Sequence, residues 1–518
     1  MKLSDFRNEP FTDFSQPENK RAFEAALEEV QQDYLGRTWP CYIGGEEVHG
    51  SASFDGHDPG DLSRRVGTYP ELGEAEANAA IEQAHAAFPE WSRTDAQYRI
   101  DLFLKAVDAL RARKHEFSAM LCYEVGKSWA EADGETAEAI DFLEYYAYLM
   151  KETAGPHPLT PVEGEQNHLN YIPIGVGAVI PPWNFPLAIM AGMTSAALIT
   201  GNTVVLKPAE QSPAVAGMWL ELMHEVGLPK HVLNFVTGPG EVVGAAMVRH
   251  PKTRFISFTG SRDVGLWIHE QSAKVQEGQK WMKRLVAEMG GKDSMLIDAE
   301  CDLDAAVDAV VAAAYGFQGQ KCSACSRAIV HQDVYDEFRD KLVPKVAAIQ
   351  AGHPATYGCN FGSVIDPDAL KKSQDYIAIG KQEGTMLVGS DEAPKGGHYV
   401  MPHVFDGIAP DARLAQDEVF GPVLALIKVQ DFEQGLEVAN NTDYGLTGSV
   451  FTDNEQHKQE AIDRFHVGNF YINRKCTGAL VGAHPFGGFN MSGTCSKAGG
   501  PDYLMQFLQA KSICHKTG

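Results

Sequence analysis

No stretch of this sequence is apolar for long enough to cross a bilayer. The longest, 185–199, is broken by Pro186 and Gly192 and falls short of the roughly 20 residues that a spanning helix needs, so it is expected to be a buried helix. Basic charge is also scarce: 44 Lys+Arg stand against 69 Asp+Glu, a net charge of −25, and no basic cluster exceeds Arg111, Arg113 and Lys114. Nucleic acid and anionic membranes need clustered cations, so neither is an expected partner. Repeats and low-complexity tracts are absent. The nine cysteines are odd in number and irregularly spaced, which gives no disulfide framework; free thiols are expected. The first twenty residues lack the apolar core of a signal peptide, and a cytoplasmic location follows as the expectation.

What is present is an ordinary globular composition, 44% hydrophobic and 22% charged over 518 residues, enough for about three domains. Phe23, Leu27, Val30 and Tyr34 fall at i, i+4, i+7 and i+11 and predict an N-terminal helical arm. Helical patterns follow near 73–90 and 96–115, and the polar, Pro-containing segment 155–166 reads as a crossover or hairpin. From 178 onward short apolar runs at 178–180, 203–206, 232–236 and 255–258 alternate with helices, the signature of a parallel, doubly wound sheet. The helix between the second and third runs has Ser212 as its N-cap, Pro213 at its first position, and Gly227 with Pro229 as its stop. A second α/β set follows residue 289, with helices near 302–315 and 333–350 and strands near 328–331 and 468–472.

Several short segments carry chemistry. GPGEVVG at 238–244 has the wrong spacing for a dinucleotide fingerprint and reads as a turn with a helix cap. FTGS at 258–261 is a better phosphate site, because a strand ends there and a helix begins with Ser261. Lys207 and Glu210 follow a strand at the edge where ligands bind in open α/β folds, and together they suit a ribose diol. Cys322 in GQKCSACSR is flanked by small and polar residues and by Lys321, a setting for a thiolate nucleophile. Cys325 completes a CxxC, but no second pair accompanies it, so a metal is not expected. Glu288 in AEMGGKD can be desolvated into a general base, and the Asn184 amide can donate to an oxyanion. Taken singly, each has a bland structural explanation.

Taken in order, PWNFP, KPAE, FTGS, EMGGK, GQKCSACSR, EVFGPV at 418–423 and PFGG at 485–488 resemble the aldehyde dehydrogenase superfamily from about residue 38 onward. Phe317, where most of that superfamily has Asn, together with Lys321, Ser323, TGALVGAHPFGG and KAGGPDYL, resembles its 1-pyrroline-5-carboxylate dehydrogenase branch. The resemblance implies an α/β fold in parts: an N-terminal helical arm at 1–37, a Rossmann-like NAD-binding domain at 38–154 and 178–288, a catalytic domain at 289–489, and a small β oligomerisation flap at 155–177 and 490–518. It also implies NAD-dependent oxidation of glutamate γ-semialdehyde to glutamate. Cys322 is then the nucleophile, Asn184 with the Cys322 N–H the oxyanion donors, and Glu288 the base. Lys207, Glu210, Ser261, Glu418 and Phe420 would hold NAD. Ser323, Gly478 and Ala479 would meet the substrate carboxylate, Phe185 and Phe486 its methylenes, and Glu138, on a helix, would contribute. At least a dimer is expected. The roughly 35 residues ahead of the match are too few for a flavin barrel, so proline oxidation would fall to a separate proline dehydrogenase. Oxidation of another semialdehyde or aliphatic aldehyde, and CoA-dependent acyl transfer, remain as alternatives.

Overall fold

The four strands predicted as buried runs, joined by a fifth at 284–288, assemble side by side in a computed structural model that describes residues 2–517. Their spatial order is Arg284–Glu288, Thr253–Thr259, Val176–Ile180, Thr203–Leu206 and Leu233–Phe235, all parallel. Cys41–Ile43 and Glu46–Val48 extend the sheet antiparallel at one edge. The chain therefore winds outward in both directions from Val176–Ile180, the doubly wound order expected of alternating strands and helices. Because the strands are parallel, the segments after Ile180, Leu206, Thr259 and Glu288 all leave from one edge.

A second sheet runs Thr385–Val388, His403–Asp406, Val423–Val429, Cys325–His331, Asp293–Ile297, Thr447–Phe451 and Asn469–Ile472. It is parallel except at the first strand. Only Met289 to Lys292 separate the last strand of the first sheet from Asp293–Ile297, so the carboxyl edge of one sheet leads directly to the amino edge of the other. The segment 155–166 forms a hairpin of Pro156–Pro158 and Glu165–Pro173, and the C-terminal strand Leu508–Lys516 pairs along the whole length of Glu165–Pro173. A further three-stranded sheet is made by Arg37–Thr38, Asp61–Glu71 and Ala52–Asp58.

The arm helix Pro17–Asp33 buries Phe23, Ala26, Leu27 and Val30; Phe23 packs against Trp129 with ring centroids 4.5 Å apart. The 185–199 stretch forms the helix Ala188–Ile199, buried throughout except at Ile189. The long helix Trp129–Thr153 lies between these layers and carries Glu138. No helix among the described residues is long and apolar enough to cross a membrane.

One expected N-cap holds in position but not in bonding. Ser212 occupies the N-cap of the helix Pro213–Glu225, but its hydroxyl makes no cap bond and has no partner. The buried Glu124 does the capping, its two carboxylate oxygens accepting the Ala214 N–H at 2.5 Å and the Val215 N–H at 2.9 Å. A carboxylate from a neighbouring helix reaches two orphan amides where a serine reaches one. Ser212→Ala is therefore expected to change stability by less than about 0.5 kcal/mol, whereas Glu124→Ala, which strands two buried donors, costs on the order of 2–4 kcal/mol. Chemical denaturation of the two variants checks the contrast.

Candidate active site

The loop before Cys322 is wound unusually tightly. Phe317, Gln318 and Gly319 all have positive φ (50°, 56° and 71°), a conformation costly for the first two. A Cβ at Gly319 would run into the Gly421 carbonyl, so only glycine lets this loop close on the 418–423 segment. Gln320 anchors it from within: its Oε1 accepts the Ile365 N–H at 2.9 Å. The Cys322 N–H makes no hydrogen bond within the described chain.

Asn184 follows the strand Val176–Ile180, and its buried amide donates to the Gln320 carbonyl at 3.0 Å. One N–H of the amide is thereby fixed on the loop before Cys322, and the second remains to be donated. Glu288 ends the strand two positions away in the sheet, paired in register with Thr259 on the strand between, and burial pushes its carboxyl up to about 7. Cys322 lies in the field of Asp293, Glu418, Glu288 and Glu138, and burial together with those carboxylates drives its thiol well above the ordinary range. The expected cationic setting is absent here, because the Lys321 ammonium turns away to Glu131 at 2.7 Å. Burial and these carboxylates thus favour the thiol form of Cys322 over the thiolate.

A second cluster lies along the carboxyl edge of the first sheet. Lys207 is buried, and its ammonium donates to Glu210 at 3.1 Å and to the Pro208 carbonyl at 3.0 Å, while 40% of the Glu210 side chain is exposed. A Cβ at Gly240 would stand 3.6 Å from Glu210 Oε1 and one at Gly244 3.8 Å from Lys207 Cδ. The 238–244 segment, read from sequence as a turn with a helix cap, thus flanks the pair. Ser261 caps the helix Arg262–Ala273 by accepting the Val264 N–H at 3.5 Å, and a Cβ at Gly265 would collide with Met289, so this helix end is pressed against the crossing between the sheets. On the far side of the crossing Glu418 accepts the Gly291 N–H at 3.0 Å. Phe420, at φ 59°, meets Trp183 edge-on at 5.6 Å.

The substrate candidates are divided between two walls. Ser323 is buried, and its carbonyl accepts the Cys476 thiol at 3.3 Å, tying the nucleophile loop to the segment that carries Gly478 and Ala479. The N–H groups of those two residues have no acceptor within the described chain. Arg474 holds the turn by donating to the Thr477 and Gly478 carbonyls at 3.0 and 2.9 Å. Phe486 is half-buried and is held by paired backbone bonds to Ala498. Phe185 faces Phe317 edge-on at 6.5 Å.

Sequence reasoning missed what lies behind Phe185. The wholly buried Lys127 ammonium sits 3.6 Å from the Phe185 ring centroid and 4.6 Å from that of Phe317, and 2.5 Å from Glu135 Oε2. Glu135 also accepts the Leu187 and Ala188 N–H groups at 2.8 and 3.2 Å. A cation stacked on two aromatic faces is attracted to their negative quadrupoles, more strongly when desolvated. On the same helix Glu131 pairs with Lys321 and Glu135 with Lys127, while Glu138 has no cation partner among the described residues and burial pushes it up to about 8. Nothing in the order of residues near Lys127 announces this contact.

The sequence profile of the aldehyde dehydrogenase family matches residues 48–513, and the chain belongs to that family. Among its relatives, the 1-pyrroline-5-carboxylate dehydrogenase of Anoxybacillus flavithermus is 51% identical over 508 residues, 98% of both chains. The crystal structure of a 1-pyrroline-5-carboxylate dehydrogenase from Thermus with bound NAD is 46% identical, superposes with a TM-score of 0.97 and covers 99% of each chain. The proline utilization A protein of Bdellovibrio bacteriovorus is 41% identical with a TM-score of 0.97, and there the match spans 99% of this chain but 53% of the longer one.

Lys127→Met is expected to destabilise the protein by about 3–5 kcal/mol, because it leaves Glu135 charged and unpaired in the interior. Lys127→Met with Glu135→Gln, which removes both charges and keeps an acceptor for the amides, should recover most of that loss in thermal denaturation.

Proposed function

We propose that this chain oxidises L-glutamate γ-semialdehyde, the open form of 1-pyrroline-5-carboxylate, to L-glutamate with NAD. What supports the reading is that the Asn184 amide is bonded to the loop two residues before Cys322, that Glu288 lies in the field of Cys322, and that the segment carrying the Gly478 and Ala479 N–H groups is tied to Ser323 through Cys476. Cys322, Asn184 and Glu288 supply a thiol, an amide donor and a carboxyl poised near neutrality. The two N–H groups suit an anionic substrate in a protein whose net charge is −25, since backbone dipoles attract an anion locally.

In this reading Cys322 gives up its thiol proton to solvent, its thiolate attacks the aldehyde carbon, and the oxyanion of the thiohemiacetal is held by the Asn184 amide and the Cys322 N–H. Glu288 then removes a proton from the water that hydrolyses the thioester, releasing glutamate and restoring the thiol. The donor set fits a dinucleotide: an exposed carboxylate beside a buried ammonium at Glu210 and Lys207 for a ribose, the N-terminus of the Ser261-capped helix for a pyrophosphate, and Glu418 and Phe420 at the crossing for the nicotinamide ribose. When bound, NAD supplies the hydride acceptor and a positive charge. Ser323, Gly478 and Ala479 receive the substrate carboxylate, Phe185 and Phe486 enclose its methylenes, and the unpaired Glu138 faces its ammonium. Glu288, the residue expected to activate water, also favours hydrolysis over acyl transfer to CoA.

The nine-residue C-terminal strand, exposed along most of its length and paired on one side only, is an edge that association can cover. We infer at least a dimer built through this flap, a cytoplasmic enzyme, and functional coupling to a separate proline dehydrogenase. Sedimentation at working concentration should find no monomer.

The decisive assay is NADH formation from pyrroline carboxylate beside succinate semialdehyde and a simple aliphatic aldehyde. Strong preference for pyrroline carboxylate, lost in Cys322→Ala, is expected; equal turnover of all three would overturn the substrate, and no turnover of any would overturn the reaction. Ser323→Ala should raise KM for pyrroline carboxylate about 5- to 10-fold. NAD should exceed NADP in kcat/KM by at least about tenfold, since Glu210 would oppose a 2′-phosphate. Glu288 works as a base only when ionised, so hydrolysis should rise with pH through about 7, and Glu288→Gln should remove that limb.

A further inference from the structure

Glu288 is gripped by a segment that lies about two hundred residues further along the chain. Its Oε1 accepts the Ser496 hydroxyl at 2.6 Å and its Oε2 accepts the Gly488 N–H at 3.2 Å. Ser496 is itself buried, and a Cβ at Gly487 would stand 2.8 Å from the same Oε1, so the carboxylate is confined as well as bonded. The strap bearing Ser496 is fixed on both sides. Before it, the Thr494 N–H donates to the Ala287 carbonyl at 2.9 Å and the Thr494 hydroxyl accepts the Ala287 N–H at 3.0 Å. After it, the Lys497 ammonium donates to the Gly487 carbonyl at 2.8 Å and to the Gly468 carbonyl, and Ala498 pairs with Phe486 through two backbone bonds. A serine hydroxyl has one proton to give, and here it goes to Glu288.

We propose that Ser496 is a positioning residue whose hydroxyl orients the Glu288 carboxylate for hydrolysis of the acyl-enzyme. The inference rests on Glu288 being the base, as proposed above. Burial opposes the ionised form of Glu288, while the Ser496 and Gly488 donors favour it. The other titratable groups around it are Lys497 on the strap, Cys322 on the nucleophile loop and Tyr503 further along the tail. A hydrogen bond to a charged group is among the stronger ones, and its loss should fall on the step that uses the carboxylate. Attack by Cys322 and formation of NADH precede that step and do not require it.

Rapid-mixing measurements of NADH formation with the full-length enzyme test this. In Ser496→Ala the first NADH per active site should form at the wild-type rate, followed by a steady state slowed about 10- to 100-fold; the pH limb of that steady state should move upward, and Ser496→Thr should restore both. Equal losses in the first and later turnovers, or no change in either, would overturn the role of Ser496. Glu288→Gln is run beside it: if that variant leaves hydrolysis at the wild-type rate, it is the assignment of Glu288 that fails. Should Ser496→Ala not fold, Ser496→Cys, similar in size but a weak donor, makes the same comparison.

Discussion

Between Glu288 and Asp293 the backbone passes from one sheet to the other through two glycines, Gly290 and Gly291, that leave no room for a side chain, and the site is arranged around that passage. A Cβ at Gly290 would collide with the Glu418 carboxylate, and one at Gly291 with Asp293 and the Cys322 carbonyl. Two glycines therefore allow three segments to touch: the end of one strand, the nucleophile loop and the 418–423 loop. The Glu418 bond to the Gly291 N–H and the contact of Gly319 with Gly421 extend the same close approach. Any residue larger than glycine here would push the proposed base and nucleophile apart, and small displacements of reacting groups are costly in rate.

The electrostatics follow from this crowding. Desolvation pushes Glu288, Glu138 and Asp293 up to about 7, 8 and 8, and Lys292 down to about 7. A site of groups held near neutrality can exchange protons at small cost, which is what a cycle through thiol, thioester and water requires. The wholly buried pair of Lys127 with Glu135 lies behind the aromatic wall. It serves position: Glu135 holds the start of the helix after Asn184 and Phe185, and Lys127 braces the Phe185 ring.

Most of the scaffold was legible because it depends on local order. Apolar runs of strand length, Pro213 with Gly227 around a helix, and the stripe from Phe23 to Val30 each specify an element through neighbours in sequence, and the strands and helices appear where these signals lie. Motif segments were legible for a related reason: strand ends in a parallel sheet must share an edge. Contacts made across the fold were not. Glu124 displaces Ser212 as the cap from 88 residues away in sequence, Lys321 is drawn off Cys322 by Glu131, and Ser496 reaches Glu288 over a separation of 208 residues. Each is a choice between a near partner and a distant one, and local spacing says nothing about the distant one.

The C-terminal tail joins two parts of the structure that the linear order keeps apart. Residues 493–498 bond to Ala287, Glu288 and Phe486, and the chain then runs through Tyr503, stacked on Tyr146 at 5.4 Å, into the strand that pairs with the hairpin. Arg284, at the start of the strand ending in Glu288, donates to the carbonyls of Met505, Gln506 and Leu508. The strand that presents the proposed base is thus clamped at both ends by the tail that forms the exposed edge. The exposed edge strand and the proposed base are therefore held by one continuous tail. Their connection runs through covalent backbone and buried hydrogen bonds, which transmit displacement better than solvated side chains do.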